Sequence, residues 1–372
     1  MTPNAYSALD RFLHRLVLRS RNIQKISLDV QLSTYKGKFL ANEEIQPVFV
    51  CGLARSGTTT LLRLLYQTGV FNTITYRDMP FVLMPTVWSK ISKLFQRKSE
   101  PTERAHGDGI LVGFDSPESF ESVFWDNICN HNHLYGKTVG VHQPSAAEMR
   151  LFGQYIQTLN IANEHTDSHR RYLSKNNNNL VRLNALNNSF PKSSVLLMYR
   201  NPIQTALSLH RQHIQFCKQQ KQDPFVLEYM SLLKHFEFGM DHRPFIFEGS
   251  VNPTTTNISN LQDAASTPLY WLKYWTHVYQ YVIEALTQGL TQVHLVHYEA
   301  LCRQPESQLA RIFDKTSIYL GENSRMRLAE QIKLAQPHNH DLIRQGCSDE
   351  IAINEAIRQA GLTYEKLQQL TH

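Results

Sequence analysis

The segment "PVFVCGLARSGTTTLLRLL", residues 47–65, constrains this chain more than any other. Val48-Phe49-Val50-Cys51 is a short apolar run of the kind that forms a buried strand, and it stops at Gly52. From Thr58 onward, Leu61, Leu62, Leu64 and Leu65 resume with helical spacing. A strand, a glycine loop and a helix together make an oxyanion site. The glycines allow a tight turn and close backbone approach, and the helix start offers unpaired N–H groups at the positive end of its dipole. Nucleotide triphosphatases write this loop as G-x-x-x-x-G-K-[ST]. Here Gly52 and Gly57 fit, Thr58 stands in the lysine position, and the cation has moved upstream to Arg55. Without the lysine a triphosphate–magnesium site is poorly served. A ligand with two bridged anionic groups matches better. Arg55 brings a permanent charge and a forked donor set, and Ser56, Thr58, Thr59 and Thr60 bring hydroxyls.

The rest of the chain sets this loop in an α/β fold. Strands are expected at Val48–Cys51, Arg171–Leu173, Ser194–Tyr199 and Val293–His297. Helical periodicity covers Thr58–Gln67, Phe81–Phe95, Pro117–Trp125, Ala146–Asn163, Pro202–Gln220, Pro224–Phe238, Leu269–Thr287, Pro305–Tyr319 and Ser324–Ala335. Ser116 is the expected N-cap before Pro117. Residues 98–113, the asparagine run Asn176–Asn179 and residues 248–268 read as loops. Short strands alternating with helices predict a P-loop-like parallel sheet flanked by helices, with helical insertions. Ligands of such sheets bind at the carboxyl ends of the strands, which puts residues 52–60, Lys175 and Arg200 on one edge. The expected organisation is an N-terminal helical extension, 1–45, a main domain, 46–320, and a C-terminal helical region, 321–372, packed on the same domain.

A second constellation lies in "FPKSSVLLMYRNPIQTALSLHRQH", residues 190–213. A buried strand ends abruptly at Arg200, and Asn201-Pro202 opens a helix that carries Ser208 about two turns along. Arginine plus a serine hydroxyl suits a phosphate monoester. Together the two motifs resemble the sulfotransferases that use 3′-phosphoadenosine-5′-phosphosulfate (PAPS). In that family a loop like "GLARSGTTTLLRLL" holds the 5′-phosphosulfate and a segment like "YRNPIQTALS" holds the 3′-phosphate. The likeness runs over about residues 46–320 and includes "YLSKNNNNLVRLNALNNSFPKSSVLLMYRNP", "VHLVHYEALCRQPESQLARIF" and "HGDGILVGFDSPESFESVFW". The wording "RSGTT" is closer to bacterial-type and tyrosylprotein sulfotransferases than to cytosolic ones, which carry lysine at the position of Arg55. The glycine-rich basic loop that closes the cytosolic cofactor site has no counterpart after Asp314, and Trp271, Tyr274 and Trp275 are either core residues or a platform for the base.

The resemblance implies sulfuryl transfer from PAPS to a hydroxyl, with Arg55 on the leaving phosphate and no metal. The alternatives are an inactive homologue that binds adenosine 3′,5′-bisphosphate and a P-loop kinase. Two residues compete for the acceptor's proton. Asp78, in "YRDMPF", stands where tyrosylprotein sulfotransferases carry a glutamate base, and His106, in "RAHGDG", where cytosolic enzymes carry a histidine. Asp78 is the first choice. Glu118 and Glu121 read as solvated carboxylates on one helix face, and Lys175 as a contact to the transferring group or acceptor. The sequence does not name the acceptor: a glycan, a lipid or a small hydroxylated metabolite is expected first, with protein tyrosine as a further alternative. A net charge of +6 without a dense basic run argues against nucleic acid. Five scattered cysteines indicate neither a disulfide framework nor zinc and point to a reducing, cytoplasmic setting. No window reaches the roughly 18 apolar residues of a spanning helix. Leu9, Phe12, Leu13, Leu16 and Val17 share one face of an N-terminal helix that is expected to pack on the protein, with contact of its arginines with anionic lipid as the alternative.

Overall fold

The computed structural model describes residues 8–92, 102–103, 111–112, 116–129, 133–161, 170–247 and 261–371. Its centre is a five-stranded sheet. Numbered in chain order, the strands are β1 Val48–Gly52, β2 Phe71–Asn72, β3 Arg171–Lys175, β4 Ser194–Tyr199 and β5 Val293–His297, and their spatial order is β2-β3-β1-β4-β5. Every pairing is parallel, with Val48 beside Leu173 and Ser194, Gly52 beside Met198, and Val195 beside Val293. β1 therefore lies centrally, and its loop leaves the sheet between two neighbours.

Both faces of the sheet are buried, as an all-parallel sheet requires. Side chains alternate along each strand. Val48 and Val50 of β1 and Leu196 and Met198 of β4 share one core with Leu61, Leu62, Leu64 and Leu65. Phe49, Cys51, Val195, Leu197 and Tyr199 face the other way, into a larger core. That core also takes in Leu18 and Leu28 near the N-terminus, Trp271 and Trp275, and Ile353 and Leu367 near the C-terminus. Trp271 and Trp275 are fully buried and Tyr274 is 5% exposed, so these three rings are core and not a platform for a base.

Several helices are shorter than periodicity alone predicts, for identifiable reasons. The helix expected over Pro117–Trp125 begins only at Ser122 and runs to Ile128. Pro117 instead forms an antiparallel bridge with Thr75, the Glu118 N–H donates to the Ile74 carbonyl, and the Ser116 carbonyl accepts from the Tyr76 N–H, so no helix starts at Pro117 for Ser116 to cap. The helix expected over Pro224–Phe238 ends at Leu232, because Lys234 takes a left-handed conformation (φ 59°) and the His235 N–H turns back to the Met230 carbonyl. The expected Phe81–Phe95 helix is Pro85–Ser92 within the described residues. The asparagine run is not an open loop. It opens a tight buried turn, Asn177–Arg182, and Asn176, Asn177 and Asn179 are almost wholly inaccessible.

That turn closes over Glu121, which is 1% exposed and not solvated. Its carboxylate accepts from Trp125 Nε1 (2.9 Å), Tyr172 Oη (3.2 Å), Asn179 Nδ2 (3.0 Å), Asn176 Nδ2 (3.4 Å) and Ser174 Oγ. A buried carboxylate persists only when fully hydrogen-bonded. Glu121→Ala strands these donors at about 1–3 kcal/mol for each one left unpaired. Loss of about 3–5 kcal/mol of unfolding free energy is expected in urea titrations, with partial rescue by Glu121→Gln.

Candidate active site

The loop after β1 is shaped by three positive-φ residues in six. Gly52 has φ 142° and Gly57 φ 95°, and a Cβ on Gly52 would stand 2.4 Å from the Met198 carbonyl oxygen. Arg55, with φ 70°, adopts the same left-handed region at the steric cost of a side chain there. Ser56 is fully buried, and its hydroxyl donates to the Leu53 carbonyl at 2.6 Å. It therefore holds the turn's shape with its hydroxyl turned inward. The following helix, Thr58–Gln67, has Gly57 as its N-cap and no side-chain cap. A helix start without a side-chain cap is of the kind that an anion can complete.

The two constellations converge. Arg55 Nε donates to Ser208 Oγ at 3.1 Å, across 153 residues of chain. Arg200 Nη1 donates to the Arg55 carbonyl at 3.4 Å. Arg200 is 6% exposed and its guanidinium lies 4.8 Å from the Tyr298 ring centroid. Its Nε has no hydrogen-bond partner, and the nearest carboxylate oxygen of its ion pair, Glu299 Oε1, is 3.9 Å away. A buried guanidinium N–H without a partner is the kind of atom a bound phosphate would satisfy. Glu299 is already engaged by the Asn201 N–H (3.0 Å), Tyr364 Oη (3.3 Å) and His297 Nε2 (3.1 Å). Burial pushes its pKa up, but the bonds from His297 and from the backbone N–H groups of Asn201 and of Glu299 itself outweigh burial and hold it below the ordinary carboxylate value.

The segment that follows Ala335 packs against this corner. The His338 N–H donates to Gln204 Oε1 at 2.7 Å, and Gln204 Nε2 donates to the His338 carbonyl at 3.0 Å. Burial, then the charges of Arg200, Arg211 and Arg55, hold His338 below its ordinary pKa. A histidine so depressed among arginines marks a concentration of positive charge fit for an anion. In sequence, residues 335–346 show no counterpart of a glycine-rich basic loop, and their place at this corner is not legible there because the partner of His338 lies 134 residues away.

Arg55, Thr58, Thr59 and Lys175 line one cavity beside the loop. Lys175 ends β3, one residue before Asn176, whose N–H donates to the Val50 carbonyl. The cavity also takes in Tyr76, Glu118, Asn177, His235 and Glu237. Glu118 is 8% exposed, against the expectation of a solvated carboxylate. It accepts from Tyr76 Oη (3.1 Å) and the Ser119 N–H (2.9 Å). Asn177 links Glu237 (3.0 Å) to the Thr58 hydroxyl (3.5 Å). Asp78 is elsewhere in the local geometry: its Oδ2 accepts from the Thr75 N–H (2.7 Å) and hydroxyl (3.1 Å) in a capping box, and it is not among the lining residues. Thr60, half-buried in the first turn of its helix, does not line the cavity either. His106 lies outside the described residues.

A central parallel sheet with a glycine-turned helix start after β1 and a strand-end arginine joined to that turn defines a P-loop-like α/β protein. Residues 47–243, just over half of the chain, match the model of the Sulfotransferase family, and the chain belongs to that family. Among solved structures it is similar to the sulfotransferase STF9 from Mycobacterium avium, with 12% identity and a TM-score of 0.57 over 97% of this chain and 87% of that one. That likeness shows the fold. The sulfotransferase STF1 from Mycobacterium tuberculosis H37Rv matches with 14% identity and a TM-score of 0.48, over 91% of this chain and 86% of that one. No curated protein matches the chain.

Proposed function

We propose that the protein transfers the sulfuryl group of PAPS to a hydroxyl of a small-molecule, lipid or glycan acceptor. The observation that carries this reading is the junction of Arg55, Ser208 and Arg200, which joins a 5′-phosphosulfate loop to a 3′-phosphate site through hydrogen bonds. Arg55, Gly57, Thr58, Thr59 and Thr60 take the 5′ end, with Ser56 fixing the turn. Arg200 and Ser208 take the 3′-phosphate. Transfer breaks the bond between sulfur and the bridging phosphate oxygen, forms one from the acceptor oxygen to sulfur, and releases adenosine 3′,5′-bisphosphate. Arg55 stabilises the charge growing on the leaving phosphate, and Lys175 neutralises sulfuryl oxygens from the cavity side. We assign removal of the acceptor's proton to Glu118 rather than Asp78, because Glu118 lines the cavity and Asp78 spends its carboxylate on Thr75. Residues 46–320 form the transfer domain, with segments 1–45 and 321–372 packed on it.

The setting we assign is the cytoplasm, since all five cysteines are free thiols. Among the described residues no helix is long and apolar enough to cross a membrane. The N-terminal helix α1, Ala8–Arg19, directs Arg11 to Asp223 (3.1 Å) and Arg15 and Arg19 to Glu228 (2.7 and 3.3 Å). Those pairings commit the arginines to the protein and support a packing role for α1 over lipid contact.

Calorimetry in excess EDTA is expected to show tight binding of adenosine 3′,5′-bisphosphate and little of ATP. Binding of ATP that requires magnesium, without binding of the bisphosphate, would overturn the reading in favour of a kinase.

A further inference from the structure

The cavity beside the loop has two unlike ends. Its polar lining comes from the loop, from the end of β3 and from residues next to them: Arg55, Thr58, Thr59, Glu118, Lys175 and Asn177. Its other lining comes from two helices, Pro202–Gln222 and Pro224–Leu232, and the turn after them. There the residues are Phe216, Val226, Tyr229, Met230, Leu233 and Phe238, together with His235 and Glu237 of the turn, whose side chains are held by the Ser119 carbonyl and by Asn177. The turn carrying Leu233 to Phe238 is fixed in place. Lys234, in its left-handed conformation, pairs with Asp126 at 3.2 Å, and its carbonyl accepts from Asn178 Nδ2 at 3.3 Å. Behind it His242 Nδ1 donates to the Phe236 carbonyl (3.0 Å), while His213 Nδ1 accepts from the Gly239 N–H (3.3 Å). Burial drives both histidines down, to about 4 and about 3, so they stay neutral and the wall keeps its shape across the physiological range. The apolar wall is thus preformed.

A wall of this kind sorts acceptors. A hydroxyl buried against it without a partner costs about 1–3 kcal/mol, and a sugar has several. A hydrocarbon or aromatic body gains about 25 cal/mol for each Å² it buries there. The polar lining offers Arg55, Lys175 and Glu118 to a reacting hydroxyl. We infer that the acceptor is an alcohol with one hydroxyl on an apolar body, inserted with its hydroxyl towards Lys175 and its body between the two helices and the turn. This rests on the sulfotransferase reading for the reaction, but the pocket's preference is measurable without nucleotide.

Equilibrium dialysis of the full chain with radiolabelled 1-octanol and trehalose separates the two dependences. Saturable retention of octanol and none of trehalose is expected. Met230→Gln and, separately, the near-isosteric Val226→Thr should each weaken octanol retention about fivefold or more, while adenosine 3′,5′-bisphosphate binds each variant as it binds the parent and so reports an intact fold. Retention of trehalose, absence of octanol retention, or octanol retention indifferent to both variants would overturn the inference. Loss of bisphosphate binding by the parent, with octanol still retained, would instead overturn the sulfotransferase reading and leave the pocket's preference standing.

Discussion

Glu118→Gln is expected to lower kcat by roughly 10²–10⁴, the usual worth of a general base, with nucleotide affinity nearly unchanged. Glutamine keeps the shape: its oxygen can accept from the Ser119 N–H while its amide nitrogen donates to the Tyr76 hydroxyl oxygen, so the effect isolates basicity. The site supplies the comparisons. Asp78→Asn perturbs a capping box, and its expected cost is about 1 kcal/mol of stability with less than a tenfold change in kcat. Glu237→Gln keeps its contact with Asn177 and is likewise expected to stay within tenfold. His106→Gln completes the set. If Asp78→Asn or His106→Gln abolishes turnover while Glu118→Gln retains more than a tenth of it, the proton goes elsewhere and the assignment to Glu118 fails. A pH profile alone does not separate these groups, because burial can bring either carboxylate towards neutrality.

Arg200→Ala should weaken binding of adenosine 3′,5′-bisphosphate by about 1.5–3 kcal/mol, the worth of a charge-assisted contact, or roughly 10- to 100-fold. Adenosine 5′-phosphosulfate, which lacks the 3′-phosphate, should bind the variant and the parent alike. The fold is expected to survive, because Glu299 keeps the Asn201 N–H, His297 and Tyr364 as partners when the arginine is gone. Equal weakening of both nucleotides would mean that Arg200 braces the loop through the Arg55 carbonyl and does not hold the phosphate.

The sequence by itself determined the parts whose causes are local. Gly52 and Gly57 are legible because their turn needs positive φ, and Gly52 also leaves no room for a Cβ against Met198. The strands at Val48, Ser194 and Val293 are legible as short apolar runs whose alternate residues feed two cores. Asn201 and Pro202 mark a helix start because one caps and the other has its φ preset. The family likewise followed from motif order, since Arg55, Arg200 and Ser208 each sit at a fixed step from a strand end. β2 escaped because two residues carry no periodicity.

Only the tertiary structure decided the rest, and in each case the reason is a partner distant in sequence. Glu118 and Glu121 share the spacing of a solvated helix face, yet Pro117 is drawn into a bridge with Thr75, and Glu121 meets donors from β3 and the asparagine turn. Asp78, which the sequence places as a base, accepts the Thr75 N–H at its Oδ2 and lies outside the cavity lining, a position that no local pattern contains. The cavity belongs to no single segment: Arg55, Thr58 and Thr59 follow β1, Lys175 ends β3, Glu118 follows the bridge between Pro117 and Thr75, and most of the apolar lining comes from residues 216–238. Burial and pairing are properties of assembled elements, and no window of local sequence contains them.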